Sequence, residues 1–172
     1  MGPIARMNEP APEFVLPDLH GELHRPAEVR GQLLLINFWS AECPWSAQAD
    51  EQLLTLREEW GPEVVLWVVA SNVNEDLESM REAARERGLP VVLRDEDQAV
   101  ADRYGAQTTP HFFVIDGGGI LRYTGALDDT TFRKRDPEQH YLADAVKALL
   151  EGGIPDTQET PGYGCTIVRH EL

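Results

Sequence analysis

Hydrophobic residues fall along this chain in two patterns. Leu33-Leu34-Leu35-Ile36-Asn37-Phe38-Trp39 and Val64-Val65-Leu66-Trp67-Val68-Val69-Ala70 are short, nearly unbroken apolar runs rich in β-branched and aromatic residues. Strands covered on both faces have that composition, so the runs predict neighbouring central strands. Between them, Ala49, Leu53, Leu56 and Trp60 recur at helical steps, which puts them on one face of a helix that Gly61-Pro62 then stops. Strand, helix, strand in that order is a crossover unit, almost always right-handed.

A second helix is expected over residues 75–87, charged outside and carrying Leu77, Met80 and Ala84 inside, with Gly88 as its stop and the short strand Val91-Val92-Leu93 after it. A brief helix over residues 98–104 follows. His111-Phe112-Phe113-Val114-Ile115 and Ile120-Leu121-Arg122-Tyr123-Thr124, joined by Asp116-Gly117-Gly118-Gly119, read as a hairpin. The sheet is therefore expected to be mixed, parallel first and antiparallel at this end. After a polar stretch, Tyr141, Leu142, Ala145, Val146, Leu149 and Leu150 give a helix over residues 138–151 its apolar stripe. Residues 1–152 thus form one α/β domain, and 153–172 are a tail with no helical period, which by itself reads as a free end.

A chain of 172 residues is long enough to bury a core without a metal or a disulfide framework. Thirty acidic residues against fifteen basic ones give a formal net charge of −15, which repels phosphate backbones and anionic headgroups and argues against nucleic-acid or membrane partners. The first residues, MGPIARMNEPAPEF, carry one arginine and no apolar run of secretory-signal length. A soluble, cytoplasmic protein is expected.

Two cysteines are too few for a disulfide scaffold. Cys43 falls where the first strand gives way to the first helix, beside unpaired backbone N–H groups and the positive end of the helix dipole, both of which favour thiolate. Pro44 suits the first helical turn; Glu42 works the other way, since a neighbouring carboxylate raises a thiol pKa. Ser46 stands where a local redox partner would be, so no disulfide can close within the motif. Its hydroxyl can at most donate a hydrogen bond to a thiolate. Cys165 is the other thiol, and the dozen or so residues between Gly152 and it span up to about 40 Å, enough to cross a domain of this size. It is either an idle thiol on a free end or a partner for Cys43. Thr109-Pro110 precedes the hairpin, where a proline lacks a ladder donor, and a cis bond there is one resolution. Trp39, Trp45 and Trp67 read most simply as core or rim aromatics; Trp45, one step beyond Pro44, is expected to be exposed next to the thiol, with a substrate contact as its second reading. His111, Cys43 and Cys165 have no metal-ligand spacing, so neither metal nor cofactor is expected.

These residues together resemble the thioredoxin-like superfamily. NFWSAECPWS followed by a helix, TTP before a hairpin, and the opening APEFVLPDLHGELHRPAEVRGQLLLINFW are similar to the redoxin branch, which joins alkyl hydroperoxide reductase/thiol-specific antioxidant proteins to TlpA-like thiol-disulfide oxidoreductases. RGLPVVLRDEDQAVADRYGAQTTPHFFVID and ETPGYGCTI resemble a subgroup with one active-site cysteine and a second near the C-terminus. The resemblance implies a three-layer fold with a mixed central sheet flanked by helices and a small N-terminal hairpin. It implies Cys43 as nucleophile, Cys165 as resolving cysteine, Pro110 as the cis-proline facing the thiol, and Trp39 as the aromatic closing the site, with Trp45 and Thr109 beside the substrate. Asn37 matches a buried position that is an acid in thioredoxins proper.

Departures bear on the activity. Ser46 excludes thioredoxin-style exchange within the motif. Ser40 could supply a peroxide-pocket hydroxyl, but Ile36 replaces the expected proline of that pocket and no activating arginine can be assigned. The expected function is a thiol-based oxidoreductase acting on a disulfide or a peroxide and reset by a thiol reductant, protein or small molecule. Two rivals stay open: a module that captures client thiols through Cys43 without turnover, and a domain whose Cys43–Cys165 bond merely pins the tail. A homodimer is an open alternative to a monomer.

Overall fold

The first apolar run becomes the middle of the molecule. In the computed structural model, which describes residues 2–170, β3 (Leu33–Trp39) is buried at all seven positions. It follows a two-stranded hairpin of β1 (Leu16–Pro17) and β2 (Leu23–His24). Helix α1 (Pro44–Trp60) leads to β4 (Val64–Ala70), which runs parallel to β3, and α2 (Leu77–Arg87) leads to β5 (Val92–Arg94), parallel to β4. Then come α3 (Ala99–Tyr104), the two-residue β6 (Thr108–Thr109), β7 (His111–Ile115) and β8 (Leu121–Gly125). β7 lies antiparallel to β3 and to β8, giving the mixed order β5-β4-β3-β7-β8.

Alternation along β3 divides the core, because successive side chains point to opposite faces. Leu33, Leu35 and Trp39 join Ala49 and Leu53 of α1, Met80 of α2, and Leu142 and Val146 of the last helix, α4 (Tyr141–Leu150). Leu34, Ile36 and Phe38 face the other side with Val100, Ala101 and Tyr104 of α3 and with Phe14. The result is the expected three-layer thioredoxin-like arrangement. Among the described residues no helix is long and apolar enough to cross a membrane.

Three local expectations change. Helix α2 begins at Leu77, because Asp76 caps it by accepting from the Ser79 amide at 2.7 Å. Helix α4 begins at Tyr141, because the Asp129 carboxylate takes the Glu138 and Gln139 amides, at 2.8 and 3.1 Å, and holds that turn open. The tail is not a free end. Its segment β9 (Cys165–Thr166) pairs antiparallel with β6, Thr109 opposite Cys165, and Ile167 is buried in the second core. Met1, Glu171 and Leu172, the extremes of the expected domain and tail, lie outside the described residues.

Candidate functional site

Cys43 is the N-cap residue of α1, with extended backbone, and Pro44 occupies the first turn. Its thiol is buried and faces β6, donating to the Thr109 carbonyl at 3.1 Å, and its Sγ lies 2.6 Å from Cys165 Sγ. Both cysteines are free thiols. The Thr109–Pro110 bond is cis. Residues far apart in sequence thus meet at one point because the β6–β9 pairing carries Cys165 across to the start of α1.

Burial pushes the Cys43 thiol up, yet the hydrogen bonds of the Cys165 thiol and of the Ser46 and Cys165 amides to its sulfur, together with nearby Thr109, outweigh it and leave the pKa below the ordinary value. Cys165 is pushed up to about 11 by burial, by its bond to Cys43, and by the charges of Cys43 and Glu75. Opposite shifts in neighbouring thiols make Cys43 the one that ionises first, with Cys165 keeping its proton beside it.

Other predicted residues are placed differently. The Ser46 hydroxyl accepts from the Ser40 amide at 3.2 Å, and it is the backbone amide of Ser46 that reaches the Cys43 sulfur. Ser40 donates its own hydroxyl to Glu75 at 2.7 Å rather than to a substrate cavity. Trp39 is wholly buried and offers a substrate no surface; its indole N–H needs a partner inside and finds Asp50 at 2.7 Å, with the Arg87 guanidinium over the ring. Trp45 is half-buried rather than exposed, because Tyr163 of the tail stacks edge-on against it with ring centres 5.1 Å apart. Thr109 is buried, its carbonyl towards Cys43.

Sequence reasoning missed Glu75 and Asp50. Glu75 was placed in α2, whereas it precedes the cap, and its buried carboxylate accepts from Ser40 Oγ, the Ala41 amide at 2.6 Å and Asn72 Nδ2 at 2.5 Å. It therefore ties down the strand-to-helix turn that presents Cys43. Asp76-Leu77-Glu78-Ser79 was the legible signal, a capping aspartate three residues before its donor. Asp50 lies next to the apolar stripe of α1 and had no sequence signal for burial.

Burial pushes the Asp50 carboxyl up to about 6, against the opposing bonds from Trp39 and Arg87 and the charge of Arg87. Since its folded pKa stands above the ordinary carboxylate value, its stabilising contribution is full below pH ~4 and is lost as the pH rises through ~6. A shift of that size is worth on the order of 2–3 kcal/mol. Asp50→Asn should accordingly flatten the decline in thermal midpoint between pH 4.5 and 7.5, read by calorimetry. An unchanged decline would show that Asp50 is ionised throughout.

His111 is buried and neutral, held down to about 4 by burial; its Nδ1 accepts from the Gln107 amide at 3.2 Å, leaving Nε2–H to donate to Thr124 Oγ1 at 3.2 Å. Neither nitrogen is spare for a metal. Among the described residues, Asp18, Glu22 and His24 of the N-terminal hairpin have ligand atoms within 4.8 Å of one another, with Asp18 bonded to His24 at 2.9 Å.

Comparison with known proteins bears on this geometry. The AhpC/TSA family model matches residues 7–124. The chain is 34% identical over 135 residues to the thiol-disulfide oxidoreductase ResA of Geobacillus thermodenitrificans, covering 76% of this chain and 73% of that protein. It is 30% identical over 160 residues to the thiol:disulfide interchange protein DsbE of Allochromatium vinosum, covering 89% and 82%. A solved structure of the hypothetical protein SMc02350 from Sinorhizobium meliloti superimposes with a TM-score of 0.88 at 30% identity, over 99% of this chain and 98% of that one.

Proposed function

Since the chain belongs to the AhpC/TSA family and is an oxidoreductase of thiols and disulfides, we propose that its catalytic cycle runs between Cys43 as nucleophile and Cys165 as resolving thiol. The observation that carries this reading is the 2.6 Å approach of the two sulfurs, one at the start of α1 and one on the docked tail. In the first step the Cys43 thiolate attacks one sulfur of a disulfide, forming a mixed disulfide and expelling the other sulfur as thiolate. That step removes the Cys43 anion, and with it two of the causes that hold the Cys165 pKa up. Cys165 then loses its proton to solvent and attacks Cys43 Sγ, closing the Cys43–Cys165 bond and releasing the second substrate thiolate. The substrate disulfide is reduced, the protein pair is oxidised, and two equivalents of an external thiol reset it.

Disulfide is favoured over peroxide as substrate. The hydroxyl of Ser40 is taken by Glu75, and the Arg87 guanidinium is held by Asp50 at 3.1 Å and by the Ala41 carbonyl at 2.6 Å. Neither group is free to polarise an O–O bond at Cys43. A capture module without turnover would have no use for a second thiol in bonding reach of the first.

The test uses the full chain with Cys165→Ser and a chromogenic aromatic disulfide. The reduced wild type should release two thiolates per molecule and end as an internal disulfide, while the variant should release one and keep a stable mixed disulfide on Cys43, read by absorbance and intact mass. A wild type that ends with separate adducts on both cysteines would contradict the resolving role.

A further inference from the structure

The tail lies where an extended substrate would have to lie. An exposed backbone edge recruits a peptide by strand addition, with backbone bonds giving affinity and side-chain pockets giving specificity. Here the edge beside the nucleophile is β6, and residues 165 and 166 of the tail already occupy it, Cys165 opposite Thr109 and Thr166 opposite Thr108. Upstream, Gly164 approaches the Thr109 carbonyl so closely, at a φ of +157°, that a Cβ there would collide with it. Two residues ahead of the cysteine, Tyr163 enters an aromatic corner. Its ring stands edge-on to Trp45, its hydroxyl accepts from the Phe132 amide at 2.7 Å, and Arg135 lies over both the Trp45 and Phe132 rings at 5.9 and 5.4 Å. Phe132 is 71% exposed, open to a ligand that approaches this corner.

We infer that the tail is an internal mimic of the substrate, and that Trp45, Phe132 and Arg135 form a subsite for an aromatic side chain two residues ahead of the reacting cysteine of a polypeptide disulfide. This rests on the proposed role of Cys43 and adds a side-chain preference beside the reacting cysteine. When the tail lifts, the client strand pairs with Thr108 and Thr109, its aromatic residue replaces Tyr163, and a glycine before its cysteine clears the Thr109 carbonyl. The client cysteine then stands where Cys165 stands now, beside Cys43. Return of the tail to the same edge delivers Cys165 and displaces the client, so that resolution and product release are one exchange of strands. Electrons balance as in the cycle above: one client S–S bond is broken and the Cys43–Cys165 bond is made.

The experiment uses full-length protein with Cys165→Ser and two synthetic peptides, Gly-Tyr-Gly-Cys-Thr and Gly-Ala-Gly-Cys-Thr, each carrying thionitrobenzoate in disulfide linkage on its cysteine. Attack by Cys43 forms the protein–peptide disulfide and releases the coloured thiolate. At subsaturating concentrations the tyrosine peptide should react about tenfold faster than the alanine peptide, the size expected of one aromatic contact with its buried area. Adding Trp45→Ala should bring the ratio close to one. Equal rates for the two peptides, or a ratio that survives Trp45→Ala, would overturn the subsite while leaving Cys43 chemistry intact. Failure of both peptides and of dithionitrobenzoate itself to release thiolate would overturn the nucleophile, and the subsite with it.

Discussion

Ile167→Asp should raise the rate at which iodoacetamide alkylates Cys43 by about two orders of magnitude, with the rest of the protein still folded. Ile167 is 3% exposed and anchors the tail in the second core, while its amide donates to Gln107 at 3.0 Å and the next amide donates to Asn72 Oδ1 at 2.7 Å. A carboxylate cannot be buried there without a partner, and the penalty of roughly 3 kcal/mol or more falls on tail docking alone. Each 1.4 kcal/mol shifts an opening equilibrium about tenfold. Cys43 is covered in the docked form, so its alkylation reports the open fraction. Peptide mass mapping gives the rate at Cys43, and far-ultraviolet dichroism checks the body. An unchanged rate with an intact body would mean that the tail does not control access to the nucleophile.

Glu75→Ala should be the most damaging change outside the two cysteines. The carboxylate gathers Ser40 Oγ, the Ala41 amide and Asn72 Nδ2, and Asn72 in turn accepts from the tail at Val168. One side chain thus fixes both the turn before Cys43 and the loop against which the tail docks. Its loss leaves a buried hydroxyl and a half-buried amide without their partner, a cost of about 3 kcal/mol. For a chain of this size that lowers the thermal midpoint by roughly 10 °C. Oxidation by a small disulfide should slow as well, because Cys43 and Cys165 are no longer held in register. Glu75→Gln keeps the volume and one carbonyl acceptor and should recover part of both losses. A midpoint within a degree or two of wild type for Glu75→Ala would show that the turn holds itself without the carboxylate.

The sheet was legible because β3 and β4 are continuous apolar runs, which have few alternatives to a doubly covered strand. Cys43 was legible for a local reason: a cysteine followed by proline at a strand-to-helix boundary needs no tertiary information to be placed at an N-cap. Glu75, Asp50 and Tyr163 were not. Each acts through partners distant in sequence, as when Asp50 meets Arg87 or Tyr163 meets Trp45, and hydrophobic periodicity is silent on such pairs. The tail is the clearest case. Nothing in ETPGYGCTI has a period, and its order comes from β6 and from the cavity that accepts Ile167. Trp39 carried two readings, since an aromatic at a strand end suits a site wall as well as a core, and its bond to the buried carboxylate of Asp50 goes with the core.

The central claim is that Cys43 and Cys165 form one redox pair. The most direct measurement is non-reducing peptide mapping of the reduced wild-type protein after one equivalent of a small disulfide, quenched in acid at successive times. The account predicts a transient adduct on Cys43, followed by a Cys43–Cys165 peptide pair as the stable product, with no lasting adduct on Cys165. A persistent Cys43 adduct beside a free Cys165 thiol would contradict it, and would leave Cys43 as a single-thiol site with an idle neighbour.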